Sequence, residues 1–136
     1  MPNSKYKVGN YIYITDRSFS RVIRVLGELK LSRCHRNASQ QRAVKRLGYV
    51  IDEGGHLIAC IFGGSGHGIN MVPMNKLLNR RAWKKMENKF KTWLTKGKSV
   101  DIDIKIKYKG KSMRPYRFVV TATVSSGKIY TYKFDN

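Results

Sequence analysis

The chain has 136 residues, of which 28 are Lys or Arg and 8 are Asp or Glu, giving a formal net charge of +20. A hydrophobic fraction of 41%, which includes 8 Tyr, 5 Phe and 2 Trp, excludes a disordered basic tail, and the length predicts one domain over residues 1–136. No apolar run approaches the ~18 residues of a membrane helix, and residues 1–10 lack the apolar segment of a signal peptide. We therefore expect any export to depend on a longer polypeptide that carries this domain.

The positive charge is distributed along the whole chain. A folded domain this basic repels itself, and a polyanionic partner is the usual reason for such a composition. Nucleic acid is the leading candidate. A solvated basic surface and a membrane-surface protein are the alternatives, but no strongly amphipathic basic helix is set apart for a membrane.

The first half of the chain contains several short β-type segments. Residues 11–15 alternate and predict a strand, whereas residues 21–31 fit either a strand or a short helix. Residues 32–46 are polar and basic. Residues 49–51 and 57–62 predict two strands joined by a sharp turn at Gly54 and Gly55.

The second half begins with a loop that contains four glycines within residues 63–68. Trp83, Met86, Phe90 and Trp93 then recur at helical spacing, and Gly97 is a natural stop for that helix. From residue 100 the period changes to two, with isoleucines alternating with charged residues. Residues 118–124 and 129–134 predict two further strands, which makes the domain α+β.

Two cysteines, Cys34 and Cys60, are too few for a disulfide framework, although one bridge is possible. Structural zinc has little support, because the chain contains neither CxxC nor HxxxH spacing.

One histidine and three later polar residues point to chemistry. His56 follows two glycines, and imidazole is the side chain best suited to take a proton from water near neutral pH. A histidine at a strand end is the bland alternative. Asn79 lies near the start of the predicted helix, where its amide oxygen could ligate a hard cation such as magnesium, or where it could simply cap the helix.

Glu87 follows Asn79 by about two helical turns and lies within an apolar stripe. It could accept a hydrogen bond from metal-bound water, or form a surface ion pair with Lys84 or Lys91. Asn70 lies in the glycine-rich loop, either as a turn former or as a support for phosphate or the site backbone. His67, in the same loop, is predicted to be a surface residue.

Several segments of the chain together resemble a known family. They are Asp52-Glu53-Gly54-Gly55-His56-Leu57-Ile58-Ala59, Phe62-Gly63-Gly64, Asn70-Met71-Val72-Pro73-Met74-Asn75, Leu78-Asn79-Arg80, Trp83-Lys84-Lys85-Met86-Glu87, Lys109-Gly110-Lys111-Ser112 and Arg114-Pro115. The family is that of the DNA/RNA non-specific endonucleases, and the likeness is greatest to the branch found as C-terminal domains of bacterial polymorphic toxins, including LXG-type toxins.

The resemblance implies a ββα-metal (His-Me finger) nuclease core over about residues 49–96, with additional antiparallel strands. It implies that His56 is the general base and that Asn79 is the single protein ligand of Mg²⁺ or Mn²⁺. Glu87 would then support the metal's water shell, and Asn70 the phosphate or the site geometry.

One position departs from the family pattern. The wider family has Asp-Arg-Gly-His where this chain has Glu53-Gly54-Gly55-His56, so Gly54 replaces the arginine. Another basic residue must therefore bind the scissile phosphate. The candidates are Arg36, Arg42 and Arg80, with a weak preference for Arg36.

The sequence thus predicts a metal-dependent, sequence-non-specific endonuclease that hydrolyses DNA, with RNA left open as a substrate. The resemblance further implies that it is the toxin domain of a larger secreted protein that acts in the target cytoplasm. For such a toxin we expect an acidic immunity protein as partner, and no membrane partner. The rivals are a non-catalytic nucleic-acid-binding module and a structural or ribosome-associated basic protein.

Overall fold

The computed structural model describes residues 3–34 and 38–136, with the side chains of residues 38–41 left out. The described chain forms a six-stranded antiparallel sheet, a separate two-stranded hairpin and three α-helices. The elements are β1 (Ser4–Val8), β2 (Tyr11–Thr15), β3 (Val22–Glu28), α1 (Ala38–Lys45), β4 (Asp52–His56), β5 (Met71–Asn75), α2 (Lys76–Arg80), α3 (Ala82–Thr95), β6 (Val100–Tyr108), β7 (Pro115–Val124) and β8 (Ile129–Asp135). The order in the large sheet is β1-β2-β3-β6-β7-β8, and β4 pairs with β5. The predicted α+β class is confirmed.

The alternating pattern of the last three strands forms the inner face of the large sheet. In β6, Val100, Ile102, Ile104 and Ile106 are buried, while the residues between them face outward, as the period of two predicts. The same alternation in β7 buries Phe118. The hydrophobic core of the described residues forms on this inner face.

The helix α3 packs on that face through its aromatic stripe. The Trp83 ring lies 5.2 Å from Phe118 and 5.4 Å from Phe134 between ring centroids. Gly97 follows the helix with a φ of +83°, the left-handed conformation expected of a terminating glycine. No helix within residues 3–34 and 38–136 is both long and apolar enough to cross a membrane.

The two strands predicted for the central hairpin, residues 49–51 and 57–62, were wrong, because neither segment is a strand in the structure. Gly54 and Gly55 lie inside β4 rather than in a turn, and the partner strand is β5 rather than residues 57–62. Residues 57–62 form a bend that ends in a 3₁₀ turn over Cys60–Phe62. Gly55 is needed for close approach instead, because a Cβ there would lie 2.8 Å from the Met74 Cβ.

Three other elements were open or unassigned in the sequence. The segment that fitted a strand or a helix is the strand β3. The polar, basic region contains α1, and β1 at the sheet edge was not predicted at all. Most residues of β1 are exposed, so it has little of the apolar alternation that identifies a strand.

A disulfide joins Cys34 to Cys60 and resolves the cysteine question against a zinc site. It connects the segment after β3 to the 3₁₀ turn that follows the His56 strand. A nearby backbone hydrogen bond, from Ser32 N to Ile61 O at 2.8 Å, joins the same two segments. The bridge therefore fixes the backbone just beyond His56 against the large sheet.

Replacing both Cys34 and Cys60 by alanine should lower the free energy of unfolding by about 3–4 kcal/mol. The bridge joins two cysteines that are 26 positions apart, and its loss releases chain entropy in the unfolded state. Urea denaturation monitored by tryptophan fluorescence measures the change. A reducing agent should destabilise the parent protein by a similar amount and leave the double variant unchanged. Equal stability of the two proteins under oxidising conditions would contradict the prediction.

A buried ion pair attaches the hairpin to the end of the large sheet. Arg114, just before β7, donates from Nε to Asp52 Oδ2 at 2.6 Å and from Nη2 to Asp52 Oδ1 at 3.0 Å. Both side chains are buried, Asp52 completely. Asn136 extends the connection by donating to Pro73 O at 3.2 Å and accepting from Asn75 N at 2.7 Å. Both strands of the hairpin are thus held at defined positions.

Candidate active site

A cleft of about 520 Å³ opens between the hairpin and the three helices, and we call it the hairpin cleft. It is lined by Arg42, Lys45, Glu53, Gly54, His56, Asn79, Arg80, Lys84 and Glu87. Three of the four residues predicted to be catalytic are therefore brought together in one cavity. The remaining one, Asn70, lies elsewhere.

His56 is the last residue of β4, where it pairs with Met71 of β5. The backbone leaves the strand immediately afterwards, with Leu57 N donating to Asn70 O at 2.8 Å. The side chain is half-buried and borders the hairpin cleft. The backbone is thus held both at His56 and at the next residue, so the imidazole has a fixed position at the edge of the cleft.

Asn79 lies in the short helix α2, which the sequence did not separate from α3. The N-cap of α2 is Asn75, whose Oδ1 accepts from Leu77 N and Leu78 N, so capping is not the role of Asn79. Asn79 Nδ2 instead donates to Glu53 Oε1 at 2.8 Å. This bond fixes the orientation of the amide and leaves Oδ1 as the end that can approach a cation.

Glu53 lines the hairpin cleft and contacts Asn79, and the sequence analysis did not select it. Besides the bond from Asn79, it accepts from Arg80 Nε at 3.1 Å and from Arg80 Nη2 at 3.0 Å. The available signal was its place in the tetrapeptide, where the wider family has aspartate. The extra methylene of glutamate still lets the carboxylate reach α2 from the hairpin.

The pKa of Glu53 is lowered by its partners. Partial burial acts to raise the pKa, but the hydrogen bonds from Asn79 and Arg80, together with the charges of Arg80 and Lys76, outweigh that effect. Because the folded-state pKa is the lower one, the stability from these contacts is present above the unfolded-state pKa. It is lost as the pH falls through the folded-state value.

Glu87 lies on α3, and only 9% of its surface is exposed. It borders the hairpin cleft rather than the solvent, between the buried aromatic residues Trp83 and Phe90. Because Trp83 and Phe90 bury the same side of α3, the carboxylate of Glu87 is held at the edge of the cleft. The geometry is compatible with the predicted role of holding a water in the cleft.

Asn70 is completely buried and uses its amide within the protein. Its Oδ1 accepts from Ile58 N and Tyr13 OH, both at 2.9 Å, and its Nδ2 donates to Ile58 O at 2.8 Å and Ser65 O at 2.9 Å. This corrects the expectation of phosphate contact, because four protein partners saturate the side chain. Asn70 supports the backbone that follows His56, which is the other role considered for it.

The three predicted phosphate-binding arginines differ in position. Arg42 borders the hairpin cleft from α1, and Arg80 borders it from α2 while paired with Glu53. Arg36 lies outside the described residues. The cleft also contains two lysines that the sequence reading did not select, Lys45 of α1 and Lys84 of α3. Lys45 could not be selected because α1 was not predicted, and Lys84 was considered only as an ion-pair partner of Glu87.

His56 at the end of a hairpin strand, with Asn79 and Glu87 of the following helices, lines one basic cleft, which is the arrangement of a ββα-metal nuclease. The chain belongs to the DNA/RNA non-specific endonuclease family, whose model matches residues 2–126. It is therefore a nuclease-type enzyme.

Two curated relatives are bacterial proteins much longer than this chain. The chain is 38% identical over 120 residues to the type VII secretion system protein EssD of Staphylococcus aureus, covering 81% of this chain and 19% of EssD. It is 27% identical over 100 residues to the probable deoxyribonuclease RhsA of Dickeya dadantii, covering 74% of this chain and 7% of RhsA. The chain thus spans less than a fifth of either relative.

Two solved nucleases share the fold. The structure of NucA from Streptococcus agalactiae with bound magnesium superposes with a TM-score of 0.74 at 12% identity, covering 98% of this chain and 82% of NucA. The Sda1 nuclease with a bound zinc ion gives a TM-score of 0.75 at 16% identity, covering 95% of this chain and 74% of Sda1. At these identities the likeness establishes the fold alone.

Proposed function

We propose that the chain is a metal-dependent, sequence-non-specific endonuclease that hydrolyses phosphodiester bonds of DNA. The observation that carries this proposal is the hairpin cleft, in which His56 and Asn79 face one cavity with cationic side chains around it. The name of RhsA, a probable deoxyribonuclease, supports DNA as substrate. RNA stays an alternative, because attack by an external water needs no 2′-hydroxyl.

The residues of the cleft fit a divalent cation with few protein ligands. Within residues 3–34 and 38–136, no three His, Cys, Asp or Glu side chains cluster closely enough to hold a metal by themselves. Asn79 Oδ1 is a hard oxygen ligand, and it is oriented by the bond from the same amide to Glu53. Magnesium, or manganese in its place, suits one protein oxygen with water and phosphate oxygens as the other ligands.

In the proposed mechanism, His56 accepts a proton from a water whose oxygen attacks the phosphorus in line. The opposite P–O bond breaks, and the leaving oxygen takes up a proton from the solvent. A divalent cation at Asn79 would stabilise the negative charge that develops on the phosphate and the leaving oxygen. Glu53 holds the Asn79 amide, and Glu87 positions a water in the cleft. Arg42, Lys45 and Lys84 neutralise the substrate phosphates in place of the arginine that Gly54 replaces.

The backbone of nucleic acid is the part that such a cleft recognises. Lysine and arginine contacts to phosphate position a strand without reading its bases, so cleavage should be sequence-tolerant. Binding should also weaken steeply as salt rises, because each neutralised phosphate releases counterions.

The decisive experiment incubates supercoiled plasmid with the purified protein in Mg²⁺, in Mn²⁺ and with EDTA, alongside structured RNA. Cleavage that requires the metal and stops with EDTA is the expected result, with DNA cut faster than RNA. Faster cleavage of RNA would reassign the substrate. Plasmid and RNA that both stay intact but shift on a gel would replace the proposal by a non-catalytic binding module.

Replacing Glu53 by glutamine should raise the metal concentration needed for half-maximal activity by about 10- to 100-fold. The charge that holds Asn79 and Arg80 is removed, so the amide loses its fixed orientation. Rates measured across a Mg²⁺ titration separate this effect from a change in the maximal rate. Glu28→Gln, a change of an exposed carboxylate beside Lys30, is the matched control. An unchanged metal dependence would remove the positioning role from Glu53.

The biological role that we propose is the toxin domain of a larger secreted protein, which acts in the cytoplasm of a target cell. The likeness to EssD, a type VII secretion system protein, supports export as part of a longer chain. A producing cell would then need protection, and the +20 charge favours an acidic immunity protein over the cleft. Affinity purification from the producing organism should recover such a protein, and its absence would count against this role.

A further inference from the structure

A second cavity, of about 470 Å³, adjoins the hairpin cleft and shares Arg42 and Lys45 with it. It is lined by Arg42, Lys45, Arg46, Gly48, Tyr49 and Val50. We call it the Tyr49 subsite. Because the two cavities share two cationic residues, a strand bound in the hairpin cleft can continue directly into the Tyr49 subsite.

Tyr49 lies between α1 and β4 and is largely exposed. The exposed fraction of the residue is 63%, and that of Val50 beside it is 95%. One face of the Tyr49 ring is covered by the Arg114 guanidinium, whose Cζ lies 4.0 Å from the ring centroid. Since the residue is nevertheless largely exposed, the opposite face of the ring is open to solvent.

The ring is held by a rigid support rather than by a mobile side chain. Arg114 is itself buried and fixed by the two hydrogen bonds to Asp52. Asp52 Oδ2 also accepts from Tyr49 N at 2.7 Å. The backbone at Gly48 passes so close to this carboxylate that a Cβ there would lie 2.3 Å from Asp52 Oδ2. One buried ion pair therefore fixes both the backbone and the ring of Tyr49.

We propose that the Tyr49 subsite binds an unpaired nucleotide of the substrate, with its base stacked on the open face of Tyr49. This inference rests on the proposed nuclease function and extends it to strand type. Arg42, Lys45 and Arg46 supply the positive charge that the flanking phosphates require. A base in a duplex is already stacked on its neighbours, so the subsite favours single-stranded or frayed nucleic acid.

The first test measures binding without turnover. It uses the His56→Ala protein and a single-stranded oligonucleotide containing 2-aminopurine, whose fluorescence is quenched by stacking. We expect quenching on binding, and a loss of affinity of about tenfold when Tyr49→Ala is added. Tyr49→Phe keeps the ring and should bind like the parent. Tyr6→Ala removes another exposed tyrosine, on β1, and is the matched control.

The second test measures turnover with His56 intact. Tyr49→Ala should raise KM for single-stranded DNA by about tenfold while changing KM for duplex DNA much less. Equal effects on both substrates, or affinity unchanged by Tyr49→Ala, would overturn the inference while leaving the nuclease function in place. Quenching that depends on Tyr49 in a protein that cleaves neither substrate would instead support the subsite and reject the nuclease function.

A protein occupant gives a different pattern. If Tyr49→Ala leaves nucleic-acid binding unchanged but weakens binding of an acidic inhibitor protein, the surface is a docking site and the nucleotide inference is wrong.

Discussion

Substitution of His56 by alanine should lower the rate of DNA cleavage by about 10²- to 10⁴-fold, the range typical of losing a positioned general base. His56 ends β4 at the hairpin cleft, and no other histidine borders that cleft among the described residues. The measurement is the single-turnover rate on supercoiled plasmid at saturating Mg²⁺. Plasmid affinity should be nearly unchanged, because the cationic lining of the cleft is retained.

The control and a rescue make this prediction specific to the imidazole. His67→Ala removes an exposed histidine from the loop before β5 and should leave the rate unchanged. Added imidazole should partly restore cleavage by the His56→Ala protein, since the side-chain deletion leaves room for a small base. If the His56→Ala protein cleaves within a few-fold of the parent, water is deprotonated by another group and the proposed role of His56 is wrong.

The large sheet could be predicted because its strands carry their own pattern. In β6 and β7, alternate residues enter the core and the intervening ones face solvent, so the period of two is visible in the sequence. The aromatic stripe of α3 is equally clear, because Trp83, Phe90 and Trp93 all pack on one face. These segments are determined by their own hydrophobic pattern, which is the information that a single sequence contains.

The strands of the hairpin could not be predicted, because they lack such a hydrophobic pattern. Its first strand is Asp52–His56, which contains no Val, Ile, Thr, Phe, Tyr or Trp. The strand is instead held by pairing with β5 and by the ion pair to Arg114. The apolar residues after it, Leu57 and Ile58, enter the core from a bend instead. Two glycines in sequence predicted a turn, whereas the close approach of Met74 is what requires one of them.

The site was partly visible in the sequence and partly not. His56, Asn79 and Glu87 were selected by spacing and by family likeness, and all three border the hairpin cleft. Glu53 was missed because its role depends on a contact with Asn79 across 26 residues of chain. Arg42, Lys45 and Lys84 reach the cleft only because of how their helices pack against the hairpin. Such contacts become apparent only in three dimensions.

Substitution of Asn79 by alanine should lower metal-dependent cleavage by about 10³-fold, because a bound cation contributes several kcal/mol to stabilising the transition state. The loss removes the proposed oxygen ligand, so it should not be restored by raising Mg²⁺ to any practical concentration. Metal titrations of the plasmid cleavage rate measure this effect. Asn88→Ala, which changes an exposed asparagine on α3, is the matched control and should behave like the parent.

Aspartate at position 79 tests the roles of the Asn79 amide oxygen and amide nitrogen separately. Asn79→Asp keeps an oxygen for the metal but loses the Nδ2 donor and places a second carboxylate beside Glu53. The like charges should repel when the metal is absent and be relieved when it binds, so activity should recover as Mg²⁺ rises. Adding Glu53→Gln to Asn79→Asp should remove that repulsion and lower the metal requirement, the reverse of its effect on the parent protein. If the two substitutions instead lowered the activity additively, Glu53 would act on the metal site independently of Asn79.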